Sequence, residues 1–324
     1  MSPTDHPAHR LAILDDHQDV ALDFAPWNTL QDVEIVVFHD PLPTLQETVE
    51  ALAGFDIIIA MRERTAFDAG VISGLPRLKL LVTTGKINAS IDLDAATGAG
   101  ITVCGTAGST TATPEHTWAL LMAWMRDIPT QQASLRAGTW QNGTTVGRGL
   151  SGTTLGILGL GRIGSRIAAY GAAFGMEVIA WSQNLAADRA AAAGARLVGR
   201  EELFACADVV SIHLQLSERT RGLVDEAELR LLGPDGLLVN TSRAGIVDQD
   251  AMLRGLHEGW LGGAALDVFD VEPLPAHHPV ISAPRTVLSP HLGYVTRQTY
   301  EVFYGEAFED VKAWLDGEPL RRLN

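Results

Sequence analysis

The chain has 324 residues, about twice the length of an ordinary domain, so two domains with separate cores are expected. Hydrophobic residues make up 46% and charged residues 19%, a balance that excludes a largely disordered chain. The formal charge of -15 argues against binding to nucleic acid or to an anionic membrane, since those partners select for basic surfaces. Any anionic ligand must therefore find a local positive site.

Cys104 and Cys206 lie far apart in apolar surroundings, and neither has a second cysteine or a histidine at metal-ligand spacing. We therefore expect both to be small buried residues, and we expect no metal site. The N-terminal residues lack the basic and apolar segments of a signal peptide. No apolar run reaches the roughly 18 residues of a membrane span. These features indicate a cytoplasmic protein.

Short apolar runs, often β-branched, recur along the chain without alternation, which is typical of parallel strands covered on both faces. The first series comprises residues 11–14, 34–38, 56–60, 78–82 and 101–103. The second comprises residues 154–158, 177–181, 195–198, 208–214, 236–240, 261–266 and 286–289. Helices are predicted at residues 114–126, 162–174, 250–258 and 296–315. The pattern predicts two doubly wound α/β units with a cleft between them.

A glycine-rich segment, GLGRIG at residues 159–164, follows the strand predicted at residues 154–158 and opens a helix. Gly159 permits a tight turn, Gly161 lets the backbone approach a pyrophosphate, and Gly164 lets helix and strand pack closely. The helix N-terminus adds amide donors and a positive dipole. The segment is therefore predicted to bind a dinucleotide, with Arg162 and Ile163 among the cofactor-binding residues.

The residue expected to bind the adenosine ribose is not acidic in this chain. An acidic residue usually stands about 20 positions after the glycine segment, and here Ser182 occupies that place, followed by Gln183 and Asn184. Without the carboxylate a 2′-phosphate is not repelled, yet no arginine follows immediately to bind one. We expect NAD as the cofactor and leave NADP open.

Three further segments place ionisable residues where predicted strands end, at residues 240–245, 266–273 and 288–293. Open α/β sheets bind their ligands at this edge. At these residues the chain resembles the D-isomer-specific 2-hydroxyacid dehydrogenases, including phosphoglycerate dehydrogenases. The resemblance extends over nearly the whole chain and rests on five ordered motifs: GLGRIG, VSIHL, NTSRAGIVD, ALDVF with DVEP, and SPHLG.

The resemblance implies a catalytic set of Arg243, Glu272 and His291. Arg243 is expected to bind the substrate carboxylate and polarise its ketone, a task suited to a planar guanidinium. His291 is expected to exchange the proton of the reacting oxygen, and Glu272 to orient its ring. Thr241 and Asp267 fall at cofactor-binding positions, Asp267 where the family holds the nicotinamide carboxamide.

The resemblance also implies a fold and an assembly. Residues 105–291 are expected to form a Rossmann nucleotide domain, and residues 1–104 with 292–324 a flavodoxin-like substrate domain. A homodimer is expected, through the nucleotide domain and the helix at residues 114–126.

The sequence departs from the family at the turn expected to bind the substrate carboxylate. Many members carry Gly-x-Gly there, whereas this chain has Thr84, Gly85 and Lys86. Lys86 is interpreted either as a second anion-binding group, for a larger or more acidic substrate, or as a surface lysine. His116 is interpreted as a helix-capping residue that takes no part in catalysis.

The predicted function is hydride transfer between a nicotinamide dinucleotide and a 2-oxo acid or D-2-hydroxy acid, with a small molecule as the partner. One alternative is a dinucleotide-sensing binding protein like the C-terminal-binding-protein corepressors, which share the Arg-Glu-His set. A second is a formate or phosphite dehydrogenase, although formate enzymes place glutamine where Glu272 stands.

Overall fold

The computed structural model of the chain describes residues 7–324, which form two compact units. The first unit contains the described residues up to Ser109 together with Val295–Asn324, and the second contains Thr110–Tyr294. The domains predicted from sequence, residues 1–104 with 292–324 and residues 105–291, end a few residues earlier at each boundary.

Hydrogen bonds explain both displaced boundaries. The amide of Thr106 donates to the carbonyl of Thr83 at 3.1 Å, and the amide of Ala107 donates to the Glu306 carboxylate at 2.5 Å. The chain therefore leaves the first unit only after residue 109. At the second boundary, the amides of residues 292 and 293 donate to a carboxylate of the second unit, so the chain stays with that unit through Tyr294.

Five parallel strands form the sheet of the first unit: β1 (His9–Ile13), β2 (Val33–Val37), β3 (Ile57–Ala60), β4 (Leu80–Thr83) and β5 (Thr102–Gly105). Their order is β2-β1-β3-β4-β5, which is the flavodoxin-like order. The helices of this unit are α1 (Leu45–Leu52), α2 (Ala69–Ser73), α3 (Leu93–Gly98) and the C-terminal α11 (Arg297–Leu315). Strands β3 and β4 are buried along their whole length, as continuous apolar runs require, and α11 packs on β4.

Seven parallel strands form the sheet of the second unit: β6 (Thr154–Leu158), β7 (Glu177–Trp181), β8 (Arg196–Leu197), β9 (Val209–Ile212), β10 (Leu237–Asn240), β11 (Gly263–Leu266) and β12 (Thr286–Leu288). Their order, β12-β11-β10-β9-β6-β7-β8, extends the Rossmann order by one strand. The helices are α4 (Ala112–Met125), α5 (Ile128–Arg136), α6 (Arg162–Ala173), α7 (Ala187–Ala192), α8 (Arg200–Cys206), α9 (Glu226–Leu232) and α10 (Gln249–Glu258).

Two apolar cores cover the two faces of the seven-stranded sheet. Successive residues of a strand point to opposite faces, so Leu237 and Val239 lie in one core and Leu238 lies in the other. Fully burying one such side chain contributes about 1.5–3 kcal/mol. The predicted fold class, with two doubly wound parallel-sheet domains, is confirmed.

The register of the second sheet aligns the ends of six strands. The final residues of these strands pair with one another across the sheet, in the order Trp181, Leu158, Ile212, Asn240, Leu266 and Leu288. We call this set the strand-end row. The glycine segment begins directly after this row, and the three segments with ionisable residues begin at it. The register therefore brings distant parts of the sequence to one edge of the sheet.

The two cysteines differ in burial. Cys104 is buried in β5, as expected, whereas Cys206 is exposed at the end of α8, so its predicted burial is wrong. Leu203 and Phe204 are the residues of α8 that pack into the core, and Cys206, at the end of the helix, lies on its outer side. Within residues 7–324, no helix combines the length and the apolar character needed to cross a bilayer.

Candidate active site

The glycine segment forms a tight turn between β6 and α6. Gly159 has φ +106°, and a Cβ there would lie 2.6 Å from the carbonyl oxygen of His213. A Cβ on Gly164 would lie 2.2 Å from the carbonyl oxygen of Gly159, so the helix packs directly on the turn. Only glycine fits at these two positions.

Gly161 differs from Gly159 and Gly164 because a Cβ there would meet no atom within 4 Å. It is the N-cap residue of α6, and no side chain of residues 7–324 caps that helix end. The first amides of α6, at Arg162 and Ile163, are therefore free of side-chain acceptors and lie beside open space. Such an end attracts an anion through its N–H groups and dipole, so the residues present fit a pyrophosphate.

Two polar side chains line the neighbouring strand ends. The hydroxyl of Ser182, after β7, accepts a hydrogen bond from the amide of Leu160 at 3.0 Å. His213 follows β9, and its Nε2 lies 2.9 Å from the Ser211 hydroxyl. Burial lowers the pKa of His213 to about 3, so the ring stays neutral and adds no positive charge beside the glycine turn.

Glu272 and His291 form the most direct contact among the predicted catalytic residues. Nδ1 of His291 lies 2.5 Å from Oε2 of Glu272. The other carboxylate oxygen, Oε1, accepts the amide of Phe269 at 2.8 Å, which fixes the carboxylate. Because an ionised carboxylate only accepts hydrogen bonds, Nδ1 carries the hydrogen and Nε2 is the nitrogen left for proton exchange.

Arg243 and Thr241 lie in the loop after β10, the strand that pairs with β11. Arg243 is half-buried, its Nη1 donates to the Ser242 carbonyl at 2.7 Å, and its own carbonyl accepts from the Asn240 side chain at 3.0 Å. The hydroxyl of Thr241 lies 2.7 Å from that of Thr117 on α4. The loop is thus hydrogen-bonded at both ends, and these bonds hold the Arg243 backbone beside the strand-end row.

Asp267 is 1% exposed, and both of its carboxylate oxygens are engaged. Oδ1 accepts the amide of Leu292 and Oδ2 the amide of Gly293, each at 2.8 Å. These amides belong to the two residues after His291, whose φ of +55° is a left-handed conformation that costs roughly 1–2 kcal/mol for a residue with a Cβ. Asp267 therefore stabilises the backbone that carries His291.

Sequence reasoning missed the contacts of His116. The residue lies inside α4, not at its cap, and its Nε2 is 3.1 Å from Oδ1 of Asp267 and 2.8 Å from the hydroxyl of Ser289. The capping interpretation is wrong because α4 begins earlier than predicted, at Ala112. No local pattern marks a contact between residues 151 positions apart.

The predicted substrate turn lies in the first unit, after β4. Thr84 and Gly85 are buried, Lys86 is exposed, and Gly85 has φ +99°. The Gly85 amide donates to the Thr106 hydroxyl at 2.8 Å. Lys86 forms no ion pair with a carboxylate of residues 7–324.

Arg62 is a second cation at this turn, and sequence reasoning did not single it out. A Cβ on Gly85 would lie 1.9 Å from Nη1 of Arg62, so the glycine is what admits the guanidinium. The amide of Arg62 donates to the Thr84 hydroxyl at 2.9 Å, its Nη1 donates to the Thr84 carbonyl at 3.2 Å, and its carbonyl accepts from Asn88 at 2.6 Å. These bonds hold Arg62 with φ +53°.

One group of possible metal ligands occurs among the described residues: Asp16, Asp19 and His39, with ligand atoms within 4.8 Å of one another. The Asp16 carboxylate already accepts the amides of Val20 and Ala21 at 2.9 and 2.8 Å. The group therefore fits a hydrogen-bonded turn.

The edge of the second sheet thus combines an anion-binding helix end, a cation and a carboxylate-bound imidazole, a set typical of dinucleotide-dependent oxidoreductases. Residues 118–293 match the sequence model of the D-isomer specific 2-hydroxyacid dehydrogenase, NAD binding domain. The match covers more than half of the chain, and the chain belongs to this family, whose cofactor is NAD.

Relatives of known name agree with this assignment. The chain is 37% identical to a glyoxylate reductase of Aeropyrum pernix over 295 residues, 89% of this chain and 88% of that protein. It is 37% identical over 261 residues to a D-3-phosphoglycerate dehydrogenase of Mycobacterium leprae, covering 80% of this chain but 49% of that protein. The chain thus spans about half the length of that curated dehydrogenase.

Solved structures share the fold over nearly the full length. The crystal structure of a phosphoglycerate oxidoreductase from Vibrio cholerae superimposes with a TM-score of 0.90 at 38% identity, covering 95% of this chain and 99% of that one. The relatives named here are oxidoreductases, and they give no support to the corepressor alternative.

Proposed function

We propose that this chain reduces a 2-oxo acid to the D-2-hydroxy acid, and catalyses the reverse reaction, with Arg243, Glu272 and His291 as its catalytic residues. The observation that carries the proposal is the 2.5 Å contact between His291 and Glu272 on the same sheet edge as the glycine turn. A carboxylate-bound imidazole at that edge is suited to proton exchange with a substrate oxygen.

Each catalytic residue has a separate task. The Arg243 guanidinium binds the substrate carboxylate and polarises the ketone, since its planar fork suits bidentate contact. Nε2 of His291 gives a proton to the developing alkoxide oxygen, or takes the hydroxyl proton in the oxidative direction. Glu272 accepts the Nδ1 hydrogen and stabilises the ring while it is protonated. The dinucleotide, when bound, supplies or accepts the hydride.

The preference between NAD and NADP follows from Ser182. Gly159, Gly161, Arg162, Ile163 and Gly164 form the pyrophosphate cradle, and Thr241 and Asp267 belong to the nicotinamide end. Ser182 uses its hydroxyl on the Leu160 amide and offers no negative charge to repel a 2′-phosphate. We therefore propose that the enzyme works with NAD. We also propose that it discriminates against NADP less strongly than a relative with an acidic residue at this position.

The substrate is proposed to carry a second anionic or polar group. Thr84, Gly85 and Lys86 form the turn that would receive the substrate carboxylate, and Arg62 lies against Gly85. Arg62 also lies 3.5 Å from the Glu63 carboxylate, so Lys86 is the cation that favours an acid larger or more acidic than glyoxylate, in a chain of charge -15. Comparing Michaelis constants for glyoxylate and 2-oxo dicarboxylates, in the wild type and in Lys86→Ala, tests this proposal. An unchanged constant for every acid would refute it.

A homodimer in the cytoplasm is the proposed assembly. Helix α5 has no buried residue, and it and the loop that follows expose Ile128, Leu135, Trp140 and Val146 by 52%, 57%, 75% and 97%. A helix that buries nothing gains little from its own chain, so a second copy covering this surface would supply the missing apolar contact.

The main test is a panel of 2-oxo acids assayed with NADH and with NADPH. We expect turnover by the wild type, and a loss of about 10²–10⁴-fold in His291→Ala with dinucleotide affinity unchanged. His257→Ala is the matched control, since that histidine lies on α10 and is exposed. Tight dinucleotide binding without turnover of any acid would overturn the enzymatic proposal.

A further inference from the structure

Nothing in the chemistry described so far explains why α4 reaches the catalytic edge of its own unit. His116 is the residue of α4 that contacts Asp267, and its side chain is 23% exposed. The Asp267 carboxylate is a pure acceptor when ionised, so Nε2 of His116 must carry a hydrogen for the two to bond. That hydrogen points between Oδ1 of Asp267 and the hydroxyl of Ser289, which is itself buried.

Ser289 and Asp267 hold the two sides of His291. The amide of His291 donates to the carbonyl of Ser289 at 3.0 Å, and the next two amides donate to Asp267. His116 therefore bonds both residues that fix the backbone around the catalytic histidine: Ser289, which accepts the amide of His291 itself, and Asp267, which accepts the two amides after it.

A second contact from the same helix turn supports this arrangement. Thr117 is fully buried, and its hydroxyl bonds that of Thr241 in the loop carrying Arg243. Its hydroxyl also donates to the carbonyl of Thr113, whose side chain lies 3.5 Å from where a Cβ of Gly293 would stand. The first half of α4 thus contacts the loops that bear both Arg243 and His291.

We infer that His116 is a positioning residue for the reaction: through Asp267 and Ser289 it sets the backbone at residues 291–293 and so aims the His291 ring at the substrate. The inference rests on the proposed catalytic role of His291. It assigns no contact with substrate or cofactor to His116 itself. A residue that only stabilised the fold would affect unfolding but would not act through His291.

The test uses three variants at α4. His116→Leu removes the donor, and His116→Gln keeps an N–H at about the reach of Nε2. Glu115→Gln is the control, since Glu115 is the exposed neighbour of His116 in the same helix. We expect kcat to fall at least about 10-fold in His116→Leu, to recover to within about 3-fold in His116→Gln, and to stay unchanged in Glu115→Gln. The dissociation constant for NADH should change less than about 2-fold throughout.

A double-mutant cycle separates positioning from stability. If His116 acts through His291, then adding His116→Leu to His291→Ala produces no further loss of kcat. An equal loss in both backgrounds, or a fall in melting temperature without any fall in kcat of the folded protein, would overturn the inference.

A spectroscopic measurement keeps the inference distinct from the proposed function. The short Nδ1 hydrogen bond of His291 to Glu272 is expected to give a far-downfield proton resonance, assigned by its loss in His291→Ala. We expect this resonance to shift or broaden in His116→Leu and to return in His116→Gln. If the wild type turns over no 2-oxo acid, the proposed function fails. The resonance still tests the positioning role in that case, because an unchanged signal in His116→Leu refutes it.

Discussion

The backbone amide of Leu160 donates a hydrogen bond to the hydroxyl of Ser182, 3.0 Å away, where an acidic residue is usual in this fold. The serine thereby braces the glycine turn instead of presenting a charge. In Ser182→Asp, the carboxylate would repel a 2′-phosphate, so we expect the ratio of kcat/KM for NADPH to that for NADH to fall at least about 10-fold. Steady-state assays with both cofactors measure this ratio. Ser182→Ala, which adds no charge, serves as the control, and an equal ratio in the two variants would contradict the prediction.

The contact between Glu272 and His291 predicts a second kinetic effect. Glu272→Gln keeps the size of the side chain but loses the charge that stabilises a protonated ring. We expect kcat for 2-oxo acid reduction to fall by about 10- to 100-fold, while the affinity for NADH stays the same. Fluorescence titration with NADH, run beside the kinetics, separates the two quantities. A fall in affinity equal to the fall in kcat would point to a collapsed loop.

The conformation of Gly85 predicts a cost for the smallest possible side chain. Gly85→Ala combines φ +99° with a Cβ 1.9 Å from the Arg62 guanidinium, so it should destabilise the first unit by about 1–3 kcal/mol and raise the KM for the 2-oxo acid. Gly98→Ala in α3 is the matched control, since a Cβ there meets no atom within 4 Å. Urea unfolding and substrate titration measure the two effects, and comparable stability of the two variants would argue against the strain.

Asp310 on α11 predicts how stability depends on pH. Burial raises the pKa of Asp310 to about 7, while its Oδ1 accepts from Arg321 at 3.0 Å and its Oδ2 has no partner among the described residues. The carboxyl therefore binds a proton more tightly in the folded chain than in the unfolded one. Its contribution is complete below about pH 4 and is lost as the pH rises through about 7.

The corresponding measurement is the melting temperature of the wild type and of Asp310→Asn between about pH 5 and about pH 8. We expect the wild type to lose stability as the pH rises across this range and the variant, which stays neutral, to lose less. Glu309→Gln controls for the removal of one negative charge beside Arg321, since Glu309 is largely exposed. Parallel curves for the wild type and Asp310→Asn would contradict the assignment.

The exposed apolar surface of α5 predicts the oligomeric state. Leu135→Glu places a charge in the proposed interface, so we expect light scattering to report a monomer for this variant and a dimer for the wild type. Leu22→Glu is the control, because Leu22 is exposed to a similar extent, 52% against 57%, but lies in the first unit. Dissociation by both substitutions, or by neither, would place the interface elsewhere.

The features that the sequence predicts well are those encoded by a few consecutive residues. Both series of strands are continuous apolar runs, and the glycine turn is recognised by the spacing of its three glycines, G-x-G-x-x-G. The pairing of His291 with Glu272 is an expectation that the family resemblance supplies, through the DVEP and SPHLG motifs. His116 could not be found in this way, because its contact depends on how α4 is rotated on the sheet, which no pattern within α4 records. Arg62 was hidden for a similar reason: the glycine that admits it stands on another strand end.

The strand-end row also determines where the chain tolerates inserted residues. One residue inserted into β10 ahead of Asn240 would advance Arg243 by about 3.3 Å and turn successive side chains to the opposite face. The turns that enter β6 and β8 lie at the other edge of the sheet, away from these groups. The space beside Gly152 and Gly194 in those turns is open to 4 Å, although φ of +81° and +72° keeps glycine itself at both positions. Insertions, peptide tags and grafted loops are therefore best placed at that amino-terminal edge, because they do not change the spacing of the residues that follow the strand-end row.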